Sequence, residues 1–161
     1  MNNINITDPI LIEYQTNRLQ ELIADLHNCC KDRLHLEATK FQLPQAELKC
    51  ILVFDGHKYL TSVEIAGKLE VAKSRATVIL DSLVKKGLVQ RVADPNDARS
   101  KLISLTPEGQ RKVQAIEEFI FAIHHRLLEQ VDPKQRDIVI GSLESLRTAM
   151  KTLKAQMNQM N

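Results

Sequence analysis

Lys73, Ser74, Arg75 and Thr77 fall within five residues. Two cations and two hydroxyls so close together suit an anionic polymer, the cations meeting phosphate and the hydroxyls donating to phosphate or to base edges. If the run opens a helix, its positive dipole end favours phosphate as well. A further cation, Arg99, follows Asp97 by two residues, close enough for the carboxylate to hold the guanidinium in one orientation. Lys101 lies just beyond. The formal charge of the 161-residue chain is only +2, but residues 58–112 hold eleven Lys/Arg against six Asp/Glu, a net +5 inside a −3 remainder. Nucleic acid is the default partner of a basic centre in an acidic frame.

The elements that must hold these side chains are punctuated clearly. Asp8-Pro9 reads as a cap and first helical residue, and a helical pattern runs to about residue 37 with Ile12, Leu19, Leu22, Leu26 and Cys29 on one stripe. Pro44 starts a second helix through about residue 54. Thr61-Ser62-Val63-Glu64 is a capping box opening a short third helix. The turn Glu70-Val71-Ala72 leads into a fourth, about 73–86, whose buried side is expected to be Ala76, Ile79, Leu80, Leu83 and Val84; Gly87 suits the left-handed residue that ends it. Runs at 88–93 and 100–105, separated by Asp94-Pro95-Asn96-Asp97, read as a hairpin. Thr106-Pro107-Glu108 opens a long fifth helix with Val113, Ile116, Ile120, Ile123 and Leu127 on its stripe, and Asp132-Pro133 caps the last.

That last helix carries the most regular pattern. Val139, Leu143, Leu146, Met150, Leu153 and Met157 are spaced alternately four and three apart, a heptad seam that wants a partner helix. With Ile12 and Leu19 of the first helix, Val139, Leu143, Leu146, Met150 and Leu153 are the expected dimerisation residues, twofold homodimers being the commonest assembly.

A short helix, a tight turn, a second helix and a hairpin make the winged helix-turn-helix arrangement. The fold class is therefore mainly α with a small β-hairpin wing. Residues 8–40 and 107–157 form the helical dimerisation region, and 44–106 the DNA-binding region, with the helix-turn-helix at 61–86 and the wing at 88–105, all in one intertwined domain. The second helix of the pair fits a major groove, and a wing arginine can enter the narrower minor groove beside it.

Leu83-Val84-Lys85-Lys86-Gly87-Leu88-Val89, Asp97-Ala98-Arg99-Ser100 and Leu105-Thr106-Pro107-Glu108-Gly109 together resemble the MarR (multiple antibiotic resistance regulator) family, with the helix order matching over about residues 8–157. The resemblance implies a homodimer on a pseudo-palindromic operator, usually a repressor, released by a small and often aromatic or phenolic ligand or by thiol oxidation. It matches Ser74, Arg75 and Thr77 to base- and backbone-contacting positions, Arg99 to the minor-groove wing arginine and Asp97 to the acid that holds it. The family often has basic residues where Val78 and Ser82 stand and a Ser or Asp cap where Ala72 stands. Fewer cations weaken the phosphate contribution. Val78 has two readings, contact with a thymine methyl or the edge of the core.

Other chemistry has less material. Cys29 and Cys30 could sense oxidants, with Lys31 and Arg33 near, but Cys29 sits on the apolar stripe, where a cysteine is ordinarily buried and inert. Cys50 has no visible local partner. His27 with Cys30 and His124 with His125 lack a four-ligand zinc spacing, so no metal or cofactor is expected. No phosphate loop, nucleophile elbow or dinucleotide fingerprint occurs, which excludes the common enzyme classes. A helical interaction protein that kept the fold without binding DNA is the rival from another class. An effector pocket would draw on Leu26, Cys30, Leu34, Phe41, Leu48 and Phe54, each of which could equally be core. The polar start of the chain and the absence of a long apolar run lead to a cytoplasmic, non-membrane expectation. The expected partners are double-stranded DNA, a second copy of the chain and a small-molecule effector.

Overall fold

The computed structural model describes residues 8–93 and 101–159. Helix α1 spans Pro9–Phe41: the Asp8 side chain accepts from the Ile10 N–H at 3.0 Å and Pro9 occupies the first turn. It runs a turn past the expected stop because nothing breaks it before Gln42, whose left-handed backbone (φ 55°) returns its N–H to Ala38 and Thr39. Pro44 caps α2, Gln45–Leu52. Phe54 therefore lies beyond that helix, in the turn before Asp55 (φ 38°) and Gly56 (φ 78°).

Strand β1, Leu60–Thr61, leads directly into α3, Ser62–Leu69. The capping box forms in full: the Glu64 N–H donates to the Thr61 hydroxyl at 3.2 Å, while the Glu64 carboxylate accepts from the Thr61 N–H at 2.7 Å and from its hydroxyl at 2.8 Å. Those bonds, led by the one from the backbone, hold the Glu64 carboxyl below the usual carboxylate range. Glu70 ends α3 in the left-handed region, and α4, Lys73–Lys85, begins three residues later. Strands β2 (Val89–Ala93) and β3 (Lys101–Leu105) pair antiparallel with Arg91 opposite Ile103. β1 adds to the other edge of β3, giving the order β1-β3-β2. The expected hairpin is thus two strands of a three-stranded sheet. β1, only two residues long, has no periodicity to reveal it.

Helix α5 spans Pro107–Glu129, a 3₁₀ turn follows at Pro133–Gln135, and α6 spans Arg136–Gln159. The junction from β3 into α5 explains the Leu-Thr-x-x-Gly run. The Thr106 hydroxyl donates to the Gly87 carbonyl at 2.6 Å and accepts from the Gly109 N–H at 3.0 Å, capping α5. Gly109 lies against the Leu88 carbonyl so closely that a Cβ would sit 1.9 Å from its oxygen. Only glycine fits there.

Two compact units result, one through Ile116 and one from Glu117. The first holds a closed core of Leu48, Ile51, Phe54, Ile65, Leu80, Leu83, Val89, Ile103 and Ile116. Ala76, Ile79, Leu80 and Leu83 of α4 are buried as expected, but Val84 is exposed. The periodicity places Val84 beside the core face without showing that nothing packs over it. In the second unit no described residue is buried, and α6 presents Val139, Leu143, Met150, Leu153 and Met157 to solvent, with Leu146 half-buried. On α1 the stripe of Ile12, Leu19, Leu22 and Leu26 is likewise exposed in the single chain, as are Cys29 and Cys30. Glu37, paired with Arg33, is the buried residue of α1.

Candidate nucleic-acid interface

α4 has one face in the core and the opposite face free. Lys73, Ser74, Arg75, Thr77 and Val78 are all exposed in its first two turns. Val78 is 61% exposed, so the core reading of this residue is wrong: with Ala76 and Ile79 pointing inward, a residue between them faces out. No side chain caps the helix at Ala72. The Thr77 hydroxyl donates to the Lys73 carbonyl at 3.0 Å, which leaves its methyl and its acceptor lone pairs outward.

Clefts flank this helix on both edges. Toward the sheet, a cavity of about 440 Å³ is lined by Ser62 and Val63 of α3, Thr77 and Leu80 of α4, and Arg91 and Lys101 of the wing strands. Arg91 also reaches Asp81 on α4, Nη2 to Oδ1 at 2.5 Å. Toward α2, a second cavity of about 380 Å³ is bordered by Gln45, Lys49 and Arg75 over Leu69, Val71 and Ile79. Each cleft pairs an apolar floor with cations and polar donors at the rim, an arrangement able to seat a sugar-phosphate strand on either side of a helix lying in a groove. Ser62, Arg91, Gln45 and Lys49 were not singled out from sequence. Ser62 looked like one member of a capping box, and Arg91 one more charge in the basic segment. Only pairing of β2 with β3, and packing of α4 on α2 and on β2, brings them beside α4.

The other sequence candidates divide. Asp97 and Arg99 lie outside the described residues, within 94–100, and Lys101, the first residue of β3, is exposed. Of the six effector-pocket candidates, Leu48 and Phe54 are fully buried in the core, Leu34 and Phe41 are half-buried, and Leu26 and Cys30 are exposed. Cys50 is buried, and burial together with the Glu47 charge pushes its thiol up to about 12, so it is not a nucleophile. Among the described residues no group of three or more His, Cys, Asp or Glu side chains converges on a metal-sized site, and no helix is long and apolar enough to cross a membrane.

Comparison with known proteins places this geometry. Residues 43–101 match the model of the MarR family. The Bacillus subtilis protein YfiV, an uncharacterized HTH-type transcriptional regulator, is 27% identical over 120 residues, 74% of this chain and 75% of its own. A MarR family protein from Bacillus stearothermophilus superposes with a TM-score of 0.77 at 22% identity, over 86% of this chain and 97% of that one. The Staphylococcus aureus MepR–DNA complex gives 0.65 at 20% identity, over 81% and 98%. The two structures establish the fold, and the segment matched to the family model carries α4 and β2 and ends at Lys101, the first residue of β3. The chain has the winged helix-turn-helix fold, its segment 43–101 is similar to the MarR family, and it resembles an HTH-type transcriptional regulator over 74% of its length.

Proposed function

We propose that the chain acts as a homodimer that binds a pseudo-palindromic operator and represses a nearby operon until a small aromatic or phenolic effector releases it. The observation that carries the DNA-reading part is the outward row of α4, Lys73, Ser74, Arg75, Thr77 and Val78, set between two cation-rimmed clefts. In this reading α4 enters the major groove, with Ser74 and Arg75 at the base edges and Val78 against a thymine methyl. Lys101 meets phosphate, and Arg99, oriented by Asp97, enters the minor groove. The exposed stripes of α1 and α6, Ile12 and Leu19 with Val139, Leu143, Leu146, Met150 and Leu153, are the dimerisation surface, and the winged lobe at 44–106 is what the dimer presents to DNA. Two lobes bind half-sites about one helical turn apart.

Release requires an effector that binds the free and DNA-bound arrangements differently. Leu26, Cys30, Leu34 and Phe41, the accessible members of the candidate set, are where it would contact α1. A second reading, thiol oxidation, is favoured by the exposure of Cys29 and Cys30 in the single chain.

The test is titration of the chain against a duplex selected by it from a random library and against a shuffled duplex, at several salt concentrations. A preference for the selected duplex that persists as salt rises supports the operator reading. Equal affinity for both at every salt concentration sinks it. Arg99→Ala should weaken binding to the selected duplex by about tenfold or more while self-association is unchanged. Release by benzoate or phenol, compared with release by an organic hydroperoxide in wild type and in Cys29→Ser/Cys30→Ser, separates the two effector readings.

A further inference from the structure

Glu47 is a buried acid in the first turn of α2, 7% exposed, and its carboxylate is not consumed by α2 itself. Its two carboxylate oxygens reach across to α4. Oε1 accepts from the Ser82 hydroxyl at 2.8 Å and Oε2 accepts from Lys86 Nζ at 2.5 Å. Ser82 and Lys86 are four residues apart and share one edge of α4. Arg75 lies seven residues before Ser82, on that same edge, where it borders the cleft shared with Gln45 and Lys49 of α2.

On the outward face itself, in line with Ser74 and Val78, Asp81 is tied to Arg91 of β2. Both of those side chains are substantially exposed, and an exposed pair constrains little. The Glu47 tie differs in kind. A carboxylate removed from water must keep its partners, because breaking one contact strands a buried charge. The exposed tie lies on the outward face of α4, in line with Ser74 and Val78, whereas the buried tie runs along the edge beside that face, where it resists rotation of the helix about its axis.

We propose that Glu47 is the positioning residue of the recognition helix: by holding Ser82 and Lys86 against α2, it sets the rotation of α4 and hence which side chains meet the base edges. This inference rests on the reading of α4 as the helix that enters the groove. It also assigns Ser82 and Lys86 away from DNA. Ser82 spends its hydroxyl on Glu47, and Lys86 spends its charge there, so neither serves as a phosphate contact.

The test uses the full chain and two DNA probes, a duplex selected by the wild type from a random library and a shuffled duplex of the same composition. Glu47→Ala removes both contacts. Glu47→Gln keeps an acceptor for Ser82 but removes the charge facing Lys86, and it carries the test should the alanine variant fail to fold. The ratio of the two affinities should fall about tenfold in Glu47→Ala, the scale of one mismatched base pair, and by less in Glu47→Gln. Affinity for the shuffled duplex and its salt slope should stay unchanged, because Lys73, Arg75 and Lys101 remain. Lys86→Met should lower the ratio without altering the salt slope. A purely structural role would lower both affinities together by reducing the folded fraction. Hydrogen exchange of the backbone amides of residues 79–86, measured without DNA, should quicken in both Glu47 variants. An unchanged affinity ratio in the folded variants, or unchanged exchange, overturns the proposal. A wild type that does not distinguish the two duplexes refutes the DNA reading instead, and the exchange measurement still decides whether Glu47 holds α4.

Discussion

Helices α4 and α6 carry apolar residues at the same kind of spacing and meet opposite fates. Leu83 of α4 is 0% exposed and Leu153 of α6 is 57% exposed. α4 is closed over by α2, α3 and β2, whereas no residue of α6 is buried among those described. Hydrophobic periodicity therefore identifies a face that must be covered, not what covers it. In the winged lobe the cover is the chain itself. For α6 an apolar seam of this regularity is what a second helix is expected to fill.

The widest test of that contrast is Leu146→Glu together with Leu153→Glu. Each exchange removes about 2 kcal/mol of burial per chain and acts on both chains of a two-chain contact, so self-association should weaken by more than about a thousandfold. Sedimentation equilibrium should show a fall to single-chain mass, while the winged lobe keeps its unfolding transition. A wild-type chain already of single-chain mass at micromolar concentration would break the contrast from the other side.

Next comes the lobe's own closure. Gly109→Ala places a Cβ 1.9 Å from the Leu88 carbonyl oxygen, and backbone on both sides leaves it little room to move. A loss of about 3 kcal/mol in urea unfolding is expected. An unchanged midpoint would mean that the β3–α5 junction relaxes freely.

A smaller effect separates contact from core on α4. Lys101→Ala should weaken binding to selected and shuffled duplexes alike and reduce the salt slope by about one, whereas Val78→Ala should act on the selected duplex alone. The reverse pattern would remove Val78 from the reading surface.

The smallest concerns the α3 cap. Thr61→Ala should cost about 1 kcal/mol. Glu64 is held below its ordinary value of 4.5 in the folded chain. Its stabilisation is accordingly present above that value and is lost as the pH falls below it. The difference in thermal midpoint between wild type and Glu64→Gln, present at pH 7, should shrink at low pH; a constant difference would detach it from the carboxylate.

Local chemistry was the legible part. Asp8, Thr61 with Glu64, Gly87 and Thr106 mark ends that the structure places within a residue or two of where their side chains indicate, because a cap acts on neighbours two or three positions away. The basic run of α4 was legible for the same reason. Strand β1 was not, since two residues become a strand only by pairing with β3, about forty positions on. Glu47 was missed because its partners are 35 and 39 residues away. Leu48 and Phe54 looked like pocket candidates until packing placed them in the core.

The order of helices, their caps, the basic centre and the heptad spacing of α6 all follow from residues acting over one or two turns, and the sequence by itself determines them. Tertiary structure alone decided three things: that Val78 faces out, that Ser62 and Arg91 join Thr77 and Lys101 around one cleft, and that Glu47 holds the far end of α4. Each depends on segments distant in the chain sharing a surface. Burial and charge pairing set those arrangements, and neither is encoded in the spacing of near neighbours.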